Sequence, residues 1–280
     1  MTTPSITTPS MTNQTMTTQT ITTHSYALRD SATMLRRNLL HALRYPGMSI
    51  GVLMVPLLML LLFRFVFGDT LSAGVHAPRG GYINFLAPGI LVLALTSGSV
   101  ATAVSVSMDM TEGIINRFRT MAIARVSVLT GHVLGAVIQS VIAAVLITAL
   151  AVGLGFRPDA SPAGWLAALG LTVAVALAVT WVSVALGVGA RTPESASNAP
   201  TPLVFLPFLG SAFVPPDSMA PGLRWFAEYQ PFTPIINAMR GILLGTPIGY
   251  QGLIALAWCA GLGVVGYVWA RNRFNRPAAR

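Results

Sequence analysis

Apolar residues gather in long unbroken runs, far longer than a buried strand or the stripe of a surface helix would need. A helix that crosses a hydrocarbon core takes about 20 mostly apolar residues, and six stretches have that length: 48–67, 83–108, 126–152, 163–189, roughly 195–214, and 248–270. Ahead of the first run, Leu28, Ala32, Leu35, Leu39 and Leu43 share one helical face, while Arg29, Arg36, Arg37 and Arg44 mark the rest. That is the pattern of a helix lying in the headgroup plane of the inner leaflet. Residues 1–25 are a Thr-rich tract, with Thr-Thr-Pro-Ser at 2–5 and again at 7–10, and lack any apolar period. They are expected to form a disordered tail, since nothing in them offsets the entropy of ordering. The chain thus divides into a tail (1–25), an all-α membrane domain (26–270) and a short basic tail (271–280).

Between the fifth and sixth runs, the stretch 217–245 carries an apolar segment, 232–244, that is too short to cross. Pro215, Pro216, Pro221, Pro231, Pro234 and Pro247 bracket it. Two short extracellular helices that re-enter the outer leaflet before the last span are expected, with Arg224, Trp225 and Tyr229 at the interface. A seventh crossing here would send the four arginines of the tail outside. With six crossings, twelve arginines flank the side that holds both termini and four (Arg79, Arg157, Arg224, Arg240) flank the other. The positive-inside rule then places both termini in the cytoplasm of a multi-pass protein of the cell membrane. Arg36-Arg37 ahead of an apolar run also resembles a twin-arginine export signal. The run is long enough to span and further spans follow it, so cleavage is not expected.

Composition agrees: 54% of the 280 residues are hydrophobic, 9% are charged, and the mean hydropathy is +0.69, against about a quarter charged in soluble domains. The net charge of +9 sits beside apolar runs, where lipid headgroups and topology account for it better than nucleic acid does. All 17 basic residues are Arg, so the Lys of a phosphate-cradling P-loop is missing. The histidines at 24, 41, 76 and 132 are scattered, and Cys259 is the single cysteine. No metal or cofactor site and no catalytic role are expected of this chain.

Polar features inside the membrane domain each admit two readings. Gly98, Thr102, Ser105 and Asp109 form one stripe of the second span, either a seam for close helix packing or the lining of a wet path. His132 is either a proton relay or a headgroup-level side chain one turn inside the third span. Arg64 lies three residues from the outer end of its span, within snorkelling reach, or it is a functional charge. Over 109–121, Met110, Ile114, Phe118 and Met121 fall on one helical face and Glu112, Asn116 and Arg119 on another. Acids lead and Arg117, Arg119 and Arg125 trail, as a helix dipole prefers. Periodicity leaves open a short docking helix or a plain inner-leaflet loop whose arginines fix topology.

The wording of that loop, Asp109-Met110-x-x-Gly113-Ile114-Ile115-x-Arg117-Phe118-Arg119-x-Met121-x-x-Ala124-Arg125, resembles the cytoplasmic loop of ABC type-2 exporter permeases, particularly the daunorubicin-resistance type. So do Tyr82-Ile83-x-Phe85-x-x-Pro88-Gly89-Ile90, the stretch from Ser211 to Met219, and Phe226-Ala227-Glu228-x-x-Pro231-Phe232-Thr233-Pro234 with Ala238-Met239-Arg240 after it. Ala238-Met239-Arg240 departs from the family, where an acidic residue often precedes the alanine and arginine. The resemblance runs from about residue 26 to the end. It implies six spans, an inner-leaflet connecting helix over 26–44, and a coupling helix over 112–119 whose residues Glu112, Gly113, Ile114, Arg117, Phe118 and Arg119, with Asp109 just ahead of them, serve a separate ATP-binding subunit. ATP and Mg belong on that partner, a second permease (self or sister chain) completes the path, and the cargo is an amphipathic drug, lipid or metabolite moved outward. The alternatives are an ion-driven secondary transporter, which needs carboxylates inside the spans, and a membrane scaffold without an ATPase. All eight acids lie outside the spans or at their edges.

Overall fold

The computed structural model describes residues 46–68, 70, 81–111 and 125–275. Every regular element among them is helical. Five long helices carry the fold: α1 (Pro46–Phe65), α2 (Tyr82–Thr111), α3 (Arg125–Gly153), α4 (Pro162–Gly189) and α9 (Gln251–Asn275). Four stretches are long and apolar enough to cross a membrane: Tyr82–Thr111, Thr130–Gly153, Pro162–Gly189 and Gln251–Phe274. The apolar part of α1, Leu53–Phe65, is shorter.

Local chemistry sets the boundaries. Ser161 caps α4, its hydroxyl accepting from the Gly164 amide at 3.1 Å, and Pro162 follows at the first helical position, where its missing N–H costs nothing. Where one fifth helix is expected over 195–214, the chain makes α5 (Pro193–Asn198), α6 (Thr201–Phe205) and a 3-10 turn, Leu206–Leu209, ending at Gly210. Pro200, Pro202 and Pro207 remove amide donors within ten residues, and a ring clash accompanies each, so an uninterrupted ladder does not form. After a second 3-10 turn at Pro216–Ser218 come α7 (Pro221–Tyr229) and α8 (Phe232–Leu244), two short helices in the stretch where sequence expects two. Gly245 closes α8 in the left-handed region, φ 64°, the conformation a Gly cap supplies without strain.

Helix α2 is the hub, packing on α1, α3, α4 and α8 and on the broken segment, while α9 lies along α4. Of the most apolar windows, 67% of α2 and 61% of α4 are buried, against 33% of Thr130–Gly153 and 22% of α9. So α2 and α4 form the inside of the bundle, and α3 and α9 turn most of their surface outward. A methyl group built on Gly187 would sit 2.5 Å from the Ala103 carbonyl oxygen, and one on Gly266 2.7 Å from the Trp181 carbonyl carbon. Such contacts give α4 its close approach to α2 on one side and α9 on the other. In lipid, where water is not there to be escaped, this van der Waals fit is what holds helices together. The main core gathers Leu86, Ile90, Leu93, Phe232, Ile235 and Met239, and a smaller one toward the other end of α2 holds Val106, Val133, Val184 and Ala185.

The expected tail (1–25), the inner-leaflet helix with Arg29, Arg36, Arg37 and Arg44, and the coupling residues Glu112, Gly113, Ile114, Arg117, Phe118 and Arg119 lie outside the described residues.

Candidate functional site

At one end of the bundle, Asp109 falls in the last turn of α2 and His132 in the second turn of α3. His132 Nε2 stands 2.7 Å from Asp109 Oδ2, and both side chains are largely buried, 8% and 15% exposed. Asp109 therefore lies at the tip of one long apolar helix and is tied to the next one, 23 residues on. His132, for which sequence offered a relay or a headgroup position, has a carboxylate partner 23 residues upstream. At the same end Arg273 Nη1 donates to the Gly189 carbonyl at 3.4 Å, joining α9 to the end of α4. Thr192 and Ser195 form a reciprocal capping box on α5.

The stripe of small residues is not where the helices of this chain come closest. Thr102 is half-buried and its hydroxyl donates to the Gly98 carbonyl at 3.0 Å, while Ser105 is exposed. A methyl on Gly98 would meet only Ser140 Oγ, at an ordinary 3.9 Å. The adjoining buried face of α2 holds Ser99 and Ser107, whose hydroxyls have no hydrogen-bond partner. Gly98, Thr102 and Ser105 thus lie together on a partly open face.

The opposite end is knit by polar side chains that sequence reasoning missed. Gln230, Thr233, Asn237 and Arg240 recur at helical spacing along α8 and the residue before its cap. They face the broken segment, whose carbonyls have lost their helical donors. Gln230 Nε2 donates to the Leu206 carbonyl at 3.2 Å. Ser211 Oγ donates to Asn237 Oδ1 at 2.9 Å, and Arg240 Nη1 donates to the same oxygen at 2.7 Å. Arg240 also reaches the Ser211 carbonyl at 2.7 Å and the Phe85 carbonyl through Nε and Nη2 at 3.2 and 3.1 Å. Its guanidinium lies over the Phe85 ring, 3.8 Å from the centroid. The first turn of α2 adds two ties: Tyr82 Oη donates to the Phe213 carbonyl at 2.8 Å, and the Arg157 amide donates to Asn84 Oδ1 at 3.0 Å. The i, i+3, i+7, i+10 run of polar residues in an apolar helix was the signal available in the sequence.

Arg64, near the same end, donates through Nε to the Leu154 carbonyl at 3.3 Å, capping the turn that follows α3. On α7, Arg224 pairs with Asp217 at 2.6 Å and Glu228 at 2.7 Å. The Glu228 hydrogen bond, then the Asp217 charge, hold its guanidinium above its ordinary value. Trp225 and Tyr229, each 66% exposed, project beside it with ring centroids 5.6 Å apart. Aromatic rings and paired charges on one short helix suit a membrane–water boundary.

Long apolar helices packed through glycines, with a broken helix and two short ones gathered at one end, define a multi-pass membrane protein of all-helical build. The ABC-2 type transporter family matches residues 30–244, and the chain belongs to it. It is 29% identical over 240 residues to the daunorubicin resistance ABC transporter permease protein DrrB1 of Streptomyces coeruleorubidus, covering 85% of this chain and 83% of that one. It is 24% identical over 218 residues, 77% of each chain, to the probable doxorubicin resistance ABC transporter permease protein DrrC of Mycobacterium tuberculosis. A putative transport permease, ycf38 of Porphyra purpurea, is 26% identical over 241 residues, 84% of this chain and 81% of that one.

Proposed function

We propose that this chain is the membrane subunit of an ATP-driven exporter that moves an amphipathic drug, lipid or metabolite outward, with ATP and Mg held by a separate nucleotide-binding subunit. The observation that carries this reading is the family match over residues 30–244, which takes in the loop at 109–125 as well as the helices. In this reading the chain crosses six times, with both termini in the cytoplasm. The broken segment, α5 through Gly210, is the fifth crossing, its freed carbonyls answered by the polar stripe of α8 as backbone at membrane depth requires. Helices α7 and α8 re-enter from outside. The Asp109–His132 pair lies at the cytoplasmic end, so a push on Glu112, Arg117 and Arg119 passes directly to the tips of α2 and α3. A second permease, self or sister chain, covers the Gly98, Thr102 and Ser105 face, and cargo passes between the two.

The test is to co-express the chain with a candidate ATP-binding-cassette subunit, reconstitute both in vesicles, and measure ATP turnover while screening amphipathic compounds. Stimulation by cargo is expected. Charge reversal at Glu112, Arg117 and Arg119 is expected to cut co-purification of the ATPase while membrane insertion persists. Solute movement by the purified chain alone, without a nucleotide-hydrolysing companion, overturns the reading and revives an ion-driven transporter.

A further inference from the structure

We infer that Arg240 is a positioning residue for gating: with Asn237 and the Ser211 and Phe85 carbonyls it forms a clasp that holds α8 and the broken segment down on the first turn of α2, and its release opens that end of the bundle. The inference rests on the exporter reading for what the opening serves, and on geometry for the clasp itself.

Three backbone segments meet at one side chain. Phe85 belongs to α2, the most buried of the four long apolar stretches and the hub of the bundle, which makes it the fixed post. Ser211 follows the 3-10 turn and Gly210, in chain that has no helical ladder. Arg240 itself rides on α8, which has Pro231 at its start and the left-handed Gly245 at its end, two points where a 13-residue rod can pivot. The planar five-donor fork of the arginine addresses two carbonyls and an amide oxygen together in fixed directions. Every acceptor is neutral, and no carboxylate among the described residues pairs with the guanidinium. With neutral acceptors only, parting the clasp leaves one charge to be rehydrated, whereas parting a buried ion pair strands two. The rest of the α8 stripe acts in the same sense: Gln230 and Thr233 lie against Gly210, and a side chain there would displace them. Shutting the clasp therefore seats the 3-10 turn against α8 as well as α8 against α2.

The test uses the permease–ATPase complex in nanodiscs, with Cys259→Ala and a reporter cysteine at Ala238. That alanine is fully buried on α8 beside Asn237. A second reporter at Ala185, fully buried in the smaller core at the other end, is the control. Labelling by a charged thiol reagent is followed with and without a non-hydrolysable ATP analogue. In the parent, labelling at 238 is expected to be slow without nucleotide and faster with it. Arg240→Gln is expected to raise the nucleotide-free rate at 238 by about tenfold or more, the size of effect that unpaired buried carbonyls imply, and to leave 185 unchanged. Arg240→Lys, which keeps the charge and loses the fork, is expected to behave like Gln. Asn237→Ala removes one partner only and serves if Arg240→Gln does not assemble; a smaller rise at 238 alone is expected.

Unchanged labelling at 238 in both variants overturns the clasp. An equal rise at 238 and 185 also overturns it, since that describes general loosening. If the variants raise labelling at 238 but nucleotide has no effect in the parent, the clasp stands and the ATP-driven reading falls.

Discussion

The sharpest test of the fold is Gly187→Ala. The added methyl would lie 2.5 Å from the Ala103 carbonyl oxygen and 3.1 Å from both Ala103 Cα and Val106 Cβ. Ordinary contact starts at 3.4 Å, so α2 and α4 must part by about 0.9 Å at this point. A gap of that size forfeits about a quarter to a half of the dispersion well for the atoms around it. Overpacking of a tight site costs about 1–3 kcal/mol, and the gain in helix propensity from Gly to Ala returns up to about 1 kcal/mol. The net expectation is a loss of about 1–2 kcal/mol. Gly261→Ala is the control: a methyl there meets nothing within 4 Å, so only the propensity gain remains. The propensity gain is common to both variants and cancels, so they should differ by the overpacking cost of about 1–3 kcal/mol, or roughly 2–12 °C in unfolding midpoint at about 2–4 °C per kcal/mol. The buried Cys259 supplies the assay, because a thiol-reactive fluorophore lights up only when the chain opens. Equal midpoints for Gly187→Ala and Gly261→Ala would refute the close α2–α4 approach and the packing argument built on it.

Because Asp109 and His132 are in direct contact, Asp109→Asn, His132→Ala and the double variant should show a coupling of about 0.5–3 kcal/mol in a cycle read by the same thermal assay; additive losses would deny the contact. Ser218 is exposed on the turn before α7, and Ser218→Cys in a Cys259→Ala background should react with an impermeant reagent added to whole cells, whereas labelling in inverted vesicles alone would reverse the topology. Gly98→Leu is expected to leave the thermal midpoint of the isolated chain close to the parent, since the site is open within one chain, but to disturb pairing with a second permease measured by native mass; normal pairing with altered cargo would assign the stripe to the path. Tyr82→Phe deletes a 2.8 Å bond to the Phe213 carbonyl, and a loss of about 1 kcal/mol is expected in the thermal assay; no shift would place that carbonyl in contact with water.

Run length alone located most of the helices. The stretches 83–108, 126–152 and 163–189 agree with α2, α3 and α4 to within a few residues, because a continuous apolar run with no proline near its centre has one cheap conformation in lipid. The fifth run, 195–214, is not one helix for the opposite reason. Hydropathy averaged over 195–214 outweighs Pro200, Pro202 and Pro207, yet each proline deletes a hydrogen bond that no average registers. Those same punctuators did mark the two short helices before the last span. The polar node escaped because its pairings are distant: Arg240 lies 155 residues from Phe85 and 29 from Ser211. Sequence showed that α8 carries Asn237 and Arg240, but nothing local names the carbonyls they serve. Asp109 and His132 were each noticed separately, and only the antiparallel meeting of α2 and α3 brings them together.

The uneven burial of the helices has a bearing on how this chain can be altered. Helix α9 packs along α4 and turns most of its apolar surface away from its own fold. One greasy side chain there can replace another with little penalty, so its exposed positions suit fluorophores, affinity handles or swapped segments. Helices α2 and α4 are fitted to each other at the level of single methyl groups, and a graft placed on them would have to reproduce every indentation.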